Sequence, residues 1–269
     1  MKDSSSQKFY YQDGNNFISL NGINNLSLDK SMSLSEHFML GGIESSTSIN
    51  APQQVEVSFD RSFIKYDELF KFTGSNPISK AFVYNGDKFY GLNNLYLNTY
   101  SAGFSVGELP KINTKFTSYG STIEQGSYPQ GNIVEYTNNL DIPKLDSITI
   151  TGDSSYELKN IYNIFSFDYT LDINRQVFYG VGSESALNVV EILPIKINFS
   201  INSKLKNEQN QMDIVNIKQN NLNFDISVSG KDQNMIFPIR KAQLVSSNIT
   251  LSNLNTLEIK RQYIGYYGI

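Results

Sequence analysis

Val55-Glu56-Val57-Ser58-Phe59-Asp60 alternates apolar and polar residues without a break, and Ile195-Lys196-Ile197-Asn198-Phe199-Ser200-Ile201-Asn202 does the same for longer. A period of two puts Val55, Val57 and Phe59 on one face of a strand and Glu56, Ser58 and Asp60 on the other. Each stretch reads as a strand with one buried and one wet face, as in a sandwich or barrel. Each follows a proline, Pro52 or Pro194. Each proline closes a loop that opens on glycine, Gly41-Gly42 in the first case and Gly180-Val181-Gly182 in the second.

Two strands of one kind in one setting indicate a unit carried twice, and other blocks agree. Leu26-Ser27-Leu28-Asp29 through Leu34 and Gly41 recurs as Phe165-Ser166-Phe167-Asp168 through Ile173 and Gly180. Ser101, Phe104, Val106, Leu109, Ile112, Lys115 and Tyr119-Gly120 recur as Ser246, Ile249, Leu251, Leu254, Leu257, Lys260 and Ile264-Gly265. Turn glycines fall in the same series: Asn85-Gly86, a strong hairpin signal, and Gly230. The slow drift in spacing between equivalent positions fits small loop insertions. The expected organisation is a polar N-terminal arm over 1–16, a first β domain over 17–138 and a second over 139–269. Polar Asn138 to Lys144, with Pro143, marks the boundary.

Of the 269 residues, 39% are apolar and 18% charged, enough to bury real cores. Abundant β-branched and aromatic residues favour strands, so the fold class expected is all-β dominated, with one short helix in each domain. Ile64 to Gly74 supplies one helix, with Gly74 as its C-terminal stop. Lys206 to Ile217 supplies the other. The formal net charge of −4 comes with no basic run, which argues against a nucleic-acid clamp. No run of about 18 apolar residues exists to span a membrane, and no membrane partner is expected.

Catalytic apparatus is missing from the pattern. There is no cysteine and a single histidine, His37, so thiolate metal sites and Ser-His-Asp or Cys-His chemistry lack their parts. Gly180-Val181-Gly182 lacks the third glycine of a dinucleotide fingerprint, and no phosphate-loop lysine motif occurs. The carboxylates Asp67, Glu68 and Glu108 have the spacing of solvated loops. No catalytic residue, metal site or cofactor is expected, and the chain does not read as an enzyme. Exposed tyrosines at 90, 96, 100 and 119 leave a sugar-stacking β module as a minor alternative.

Leu95-Tyr96-Leu97-Asn98-Thr99-Tyr100-Ser101-Ala102-Gly103-Phe104-Ser105-Val106-Gly107-Glu108-Leu109-Pro110 resembles tail tube proteins of tailed bacteriophages, in which a strand of this type sits late in each tube domain. Val55 to Phe63 followed by Asp67 to Gly74 fits the strand-then-helix step of such domains. The second copy has Ser252-Asn253-Leu254-Asn255 where the first has Gly107-Glu108-Leu109-Pro110.

The resemblance implies two tandem tube-like β-sandwich or barrel domains per chain. Six such domains close a ring around a channel, so three two-domain chains would form a pseudohexameric homotrimer. Rings would stack into a tube, contact other tail proteins and let viral DNA pass without specific binding. The protein would be a virion component assembled in the host cytoplasm; a distal tail or baseplate hub position is the nearest alternative. Gly41, Gly42, Pro52, Gly180, Gly182 and Pro194 bound the loops expected to touch the next ring. The terminal aromatics Tyr263, Tyr266 and Tyr267 are expected to pack on a core or a neighbouring subunit.

Overall fold

In the computed structural model the described residues are almost entirely β-strand, with one short helix among them. The structure describes residues 7–20, 22–32, 36–38, 45–47, 53–62, 67–74, 76–120, 124–126, 129, 131–135, 147–152, 164–180, 183, 185–205, 221–230, 233–251 and 257–267. Strands in the first part are β1 (Lys8–Asp13), β2 (Asn16–Leu20), β3 (Ile23–Met32), β4 (Glu36–Phe38), β5 (Ser45–Thr47), β6 (Gln53–Ser62), β7 (Ile78–Tyr84), β8 (Phe89–Ser105) and β9 (Lys111–Tyr119). Short strands β10 (Glu124–Gly126) and β11 (Asn132–Glu135) follow. Then come β12 (Ser147–Gly152), β13 (Ile164–Asp172), β14 (Arg175–Tyr179), β15 (Ala186–Glu191), β16 (Ile195–Leu205), β17 (Leu222–Gly230), β18 (Gln233–Leu251) and β19 (Leu257–Tyr267).

The same pairing scheme occurs in both halves. β3 pairs β6, β6 pairs β9, β9 pairs β8, β8 pairs β7 and β7 pairs β1, all antiparallel. β13 pairs β16, β16 pairs β19, β19 pairs β18, β18 pairs β17 and β17 pairs β12, again antiparallel. A hairpin, β4–β5 or β14–β15, sits at the same point of each series.

Ladder registers fix which residues correspond. β8 and β18 each contain one non-glycine residue in the left-handed region, Asn94 and Lys241, both at φ 50°. With these superposed, the ladders coincide apart from one-residue shifts at the irregularities near Asn24 and Ile78. Leu97 opposite Phe116 matches Leu244 opposite Tyr263, and Ala81 opposite Leu92 matches Phe224 opposite Ile239. Val57 opposite Phe116 matches Phe199 opposite Tyr263, and Leu28 opposite Val57 matches Tyr169 opposite Phe199. The sequence blocks had set Leu28 against Phe167 and Ser101 against Ser246. The ladders set them against Tyr169 and Asn248, two residues further along and on the same face, because the side-chain period is two.

Residues 8–13 are not an arm. β1 lies between β2 and β7, with Phe9, Tyr10 and Tyr11 buried, and its ladder to β7 matches that of β12 to β17. Short strand β10 pairs with the start of β8. Asn85-Gly86 does turn β7 into β8: Asn85 N–H donates to the Lys88 carbonyl, and the Asn85 side chain accepts from Asp87 and Lys88 N–H groups.

The expected helix is shorter and of another kind, a 3-10 helix over Glu68–Thr73. Asp67 caps it by accepting from Leu69 N–H, whereas Gly74 is extended, at φ −85°, and is not a left-handed stop. The expected second helix, Lys206 to Ile217, lies outside the described residues, as does the Asn138–Lys144 boundary.

The core sits between two layers. Val55, Val57 and Phe59 are buried, as are Ile195, Ile197, Phe199 and Ile201, as their alternation requires. Phe9 of β1 meets Phe59 and Phe116 at 5.0 and 6.0 Å between ring centroids; Phe224 of β17 meets Phe199 and Tyr263 at 5.6 and 6.3 Å. Residues of both halves belong to one hydrophobic cluster.

Candidate functional site

What joins the halves is a strand ladder. The C-terminal part of β8 pairs with β13 from Thr99 opposite Asp172 to Ser105 opposite Ser166. Val106 N–H donates to the Phe165 carbonyl at 2.8 Å, and Ile173 N–H to the Asn98 carbonyl at 2.7 Å. Eight strands therefore run edge to edge as β3-β6-β9-β8-β13-β16-β19-β18. Four come from each half, in the same order.

Under this joint lies an aromatic cluster. Phe237 of β18 touches Phe70, Phe104, Phe167 and Tyr169, with centroids 4.8 to 5.8 Å apart. Ala102 and Phe104 from one half and Phe167 and Tyr169 from the other are all buried there. Burial pushes the Tyr169 phenol far above its ordinary range, with nearby Tyr267 adding to the effect.

The second half also leans over the first. Arg175 of β14 donates to the carbonyls of Leu97 and Gly74 and stacks on Tyr96 at 5.0 Å. Burial lowers the Arg175 pKa, and Glu191, Tyr119 and Tyr96 oppose that shift. Ser185 donates to the Gly120 carbonyl at 2.8 Å. Gly120 has φ +98°, and a Cβ there would stand 2.2 Å from the Ser185 backbone, so this seat needs glycine.

The solvent-facing side of the eight-strand sheet is mostly polar, with Ile264 and Tyr266 of β19 as apolar and aromatic exceptions. Opposed pairs along it include Ser27–Ser58, Asp60–Asn113, Ser101–Thr170, Asp168–Ser200 and Asn202–Lys260. Ser27 and Ser58 hydroxyls lie 2.7 Å apart, Ser200 donates to Asp168 at 2.9 Å, and Ser101 donates to Thr170 at 3.2 Å. Charges of both signs are interspersed, with Lys115–Glu56 at 2.7 Å and Lys204–Glu258 at 3.7 Å. A shallow depression on this face is lined by polar Asp168, Thr170, Asn198, Ser200 and Gln262 together with apolar or aromatic Phe199, Val245, Tyr263 and Ile264.

Of the loop residues expected at a ring-to-ring contact, Gly41, Gly42, Pro52 and Gly182 lie outside the described residues. Gly180 follows β14, and Pro194 follows β15 after a cis peptide bond with Leu193. Between them runs β15, the second strand of the β14–β15 hairpin. This span carries exposed apolar side chains, among them Leu187 at 75% and Leu193 at 63% exposure. The terminal aromatics divide. Tyr263 is core, stacked on Phe199 at 4.9 Å; Tyr267 accepts from Thr73 and packs edge-on to Phe70; Tyr266 is half-buried opposite Lys196 on the polar face.

Two other sequence readings change. Tyr100 is fully buried and donates to Asp67, and Tyr96 lies under Arg175, so neither offers a ring to a sugar. Asp67 is not solvated. It is 0% exposed, capping the 3-10 helix, accepting from Tyr100 and pairing with buried Arg61. Tyr11 donates to Glu68 beside it. Burial lowers the Arg61 pKa, opposed by Tyr100, Tyr11 and Glu68. These groups are spent on holding the short helix against the sheet. Among the described residues no group of three or more His, Asp and Glu is placed to hold a metal ion, and no helix is long and apolar enough to cross a membrane.

No protein-family model and no curated protein sequence matches this chain.

Proposed function

We propose that the chain is a structural tube subunit of a bacteriophage tail, built from two tandem tube domains, with three chains closing a pseudohexameric ring. Rings stack into a channel through which viral DNA passes without specific binding. The protein belongs to the virion tail, assembles in the host cytoplasm and carries no catalytic role.

The observation that carries this reading is the β8–β13 joint. It fuses two four-strand sheets of identical order and leaves, among the described residues, the outer edges of β3 and of the C-terminal half of β18 (Ser246 to Leu251, beyond its ladder to β17) without a strand partner. An open strand edge is a template for pairing, and a head-to-tail contact closes into a ring when its rotation allows. Eight strands from each of three chains make twenty-four. At about 4.8 Å between strands the backbone circumference is about 115 Å, a diameter of about 37 Å for untilted strands. Inward side chains leave a lumen of roughly 25 Å, wide enough for a nucleic-acid duplex.

The polar face of the sheet suits such a lumen. Hydroxyl, amide and interspersed opposite charges give phosphate no basic patch to bind. The exposed apolar residues of the β14–β15 arm suit contact with a neighbouring ring.

Electron microscopy of the purified chain, or of virions containing it, tests the reading. Rings or tubes with six equivalent domain densities and an open lumen are expected. A monodisperse monomer at high concentration, absent from virions, would overturn it.

A further inference from the structure

The joint inside the chain specifies a second joint between chains. Residues of β18 stand 147 after their β8 equivalents, as Lys241 stands to Asn94; residues of β13 stand 141 after those of β3, as Tyr169 stands to Leu28. Carrying the β8–β13 register through these equivalences sets β18 of one chain antiparallel to β3 of the next. Ser246 falls opposite Ser31, Asn248 opposite Asp29, Ile249 opposite Leu28, Thr250 opposite Ser27 and Leu251 opposite Leu26.

We infer that β18 and β3 of successive copies of this chain pair in this register, deepening the tube reading and resting on it for closure at three chains. Three observations support it. Ile249 is 45% exposed although its equivalent at the internal joint, Ala102, is 2% exposed. An apolar side chain left in water at the position that elsewhere carries the joint is accounted for by a missing partner strand. Leu28 stands opposite it and is only half-buried in the single chain.

Polar complementarity is the second. Ser101 and Thr170 hydrogen-bond across the internal joint. Their equivalents are Asn248 and Asp29, an amide donor facing a carboxylate acceptor, which is the stronger pairing.

The third is a backbone donor. Val106 N–H bonds outward to Phe165, and alternation then turns Phe167 N–H toward β8. The equivalent N–H on the open edge is that of Leu26. In the single chain it donates to the side-chain Oε1 of Gln7 at 3.1 Å. Gln7 thus fills the place a neighbour's Leu251 carbonyl takes in the ring, and is displaced on assembly.

The contact between chains differs from the one within them. It replaces Phe104 and Phe167 with Leu251 and Leu26, so the aromatic cluster is absent. Rings therefore come apart at this joint into folded single chains before the chains unfold.

Cysteine pairing tests the register, because the native chain has no cysteine to confuse the result. Asn248 and Asp29 fall at a non-hydrogen-bonded pair, where opposed Cα atoms come close enough to bridge. Full-length chain carrying Asp29→Cys and Asn248→Cys is assembled under reductant, then oxidised and run on a non-reducing gel. Covalent dimers and a closed covalent trimer are expected, reversed by reductant. The slipped pair Ser31→Cys with Asn248→Cys is expected to link about tenfold less. If the first pair does not fold, Ser27→Cys with Thr250→Cys tests the same register.

Rings seen by microscopy without the Asp29–Asn248 link would overturn the register and leave the tube reading standing. Efficient linking in open filaments would support the register and remove closure at three. A monomer that never links would overturn both.

Discussion

The inner edge of the first four-strand sheet and the outer edge of the second are equivalent positions with opposite fates. At the inner edge, β8 finds β13, and Ala102, Phe104, Phe167 and Tyr169 are sealed over Phe237. At the outer edge, β18 has no strand partner beyond Ser246 among the described residues except β19, and Ile249 and Val245 face water. The backbone geometry is the same, down to the left-handed residue in each long strand. Side-chain chemistry differs. The internal joint carries aromatics, and the open edge carries aliphatic and amide groups, which cost less to leave in water.

Substitutions on the two sides of that contrast separate it by size of effect. Phe237→Ala removes the ring on which the internal joint rests and is expected to cost about 3–5 kcal/mol in urea unfolding. Gly120→Ala forces a Cβ into the Ser185 backbone at a positive φ, and should cost about 1–3 kcal/mol by unlatching the β14–β15 arm from the first half.

Tyr169 gives the internal joint an alkaline weakness that its counterpart Leu28 lacks. Its folded pKa lies above the ordinary 10.0. The folded state therefore holds a proton that the unfolded state releases, so this contribution is intact below about pH 10 and is lost as pH rises beyond it. Tyr169→Phe removes the dependence. The difference in unfolding free energy between about pH 8 and about pH 11 should be smaller in the variant than in the parent.

Ile249→Lys, at the open edge, should change the stability of the single chain by no more than about 0.5 kcal/mol. Sedimentation should nevertheless show its assembly abolished, since a charge on an edge strand opposes pairing. Loss of monomer stability comparable to that of Phe237→Ala would contradict the distinction between the two edges.

The strands and their faces were legible because Val55 to Asp60 and Ile195 to Asn202 alternate cleanly. Register was not: a slip of two residues preserves every apolar phase, so Leu28 could be set against Phe167 as readily as against Tyr169. β1 is not legible as a strand because Phe9, Tyr10 and Tyr11 are buried in succession, covered on both faces, and leave no alternation to read. Asp67 shows no sequence sign of burial because Tyr100 lies 33 residues further along and no local pattern links Asp67 to Arg61. The polar sheet face was written in the wet half of each alternating strand. Its continuity across the halves depends on the β8–β13 ladder, which no single stretch encodes.

The mass of the smallest closed assembly tests the central claim most directly. Native mass spectrometry of assembled, purified chain, with microscopy of the same sample, should give three chains per ring and six domain densities around the lumen. A ring of six chains, or a chain that remains monomeric at high concentration with both edges open, would contradict the account.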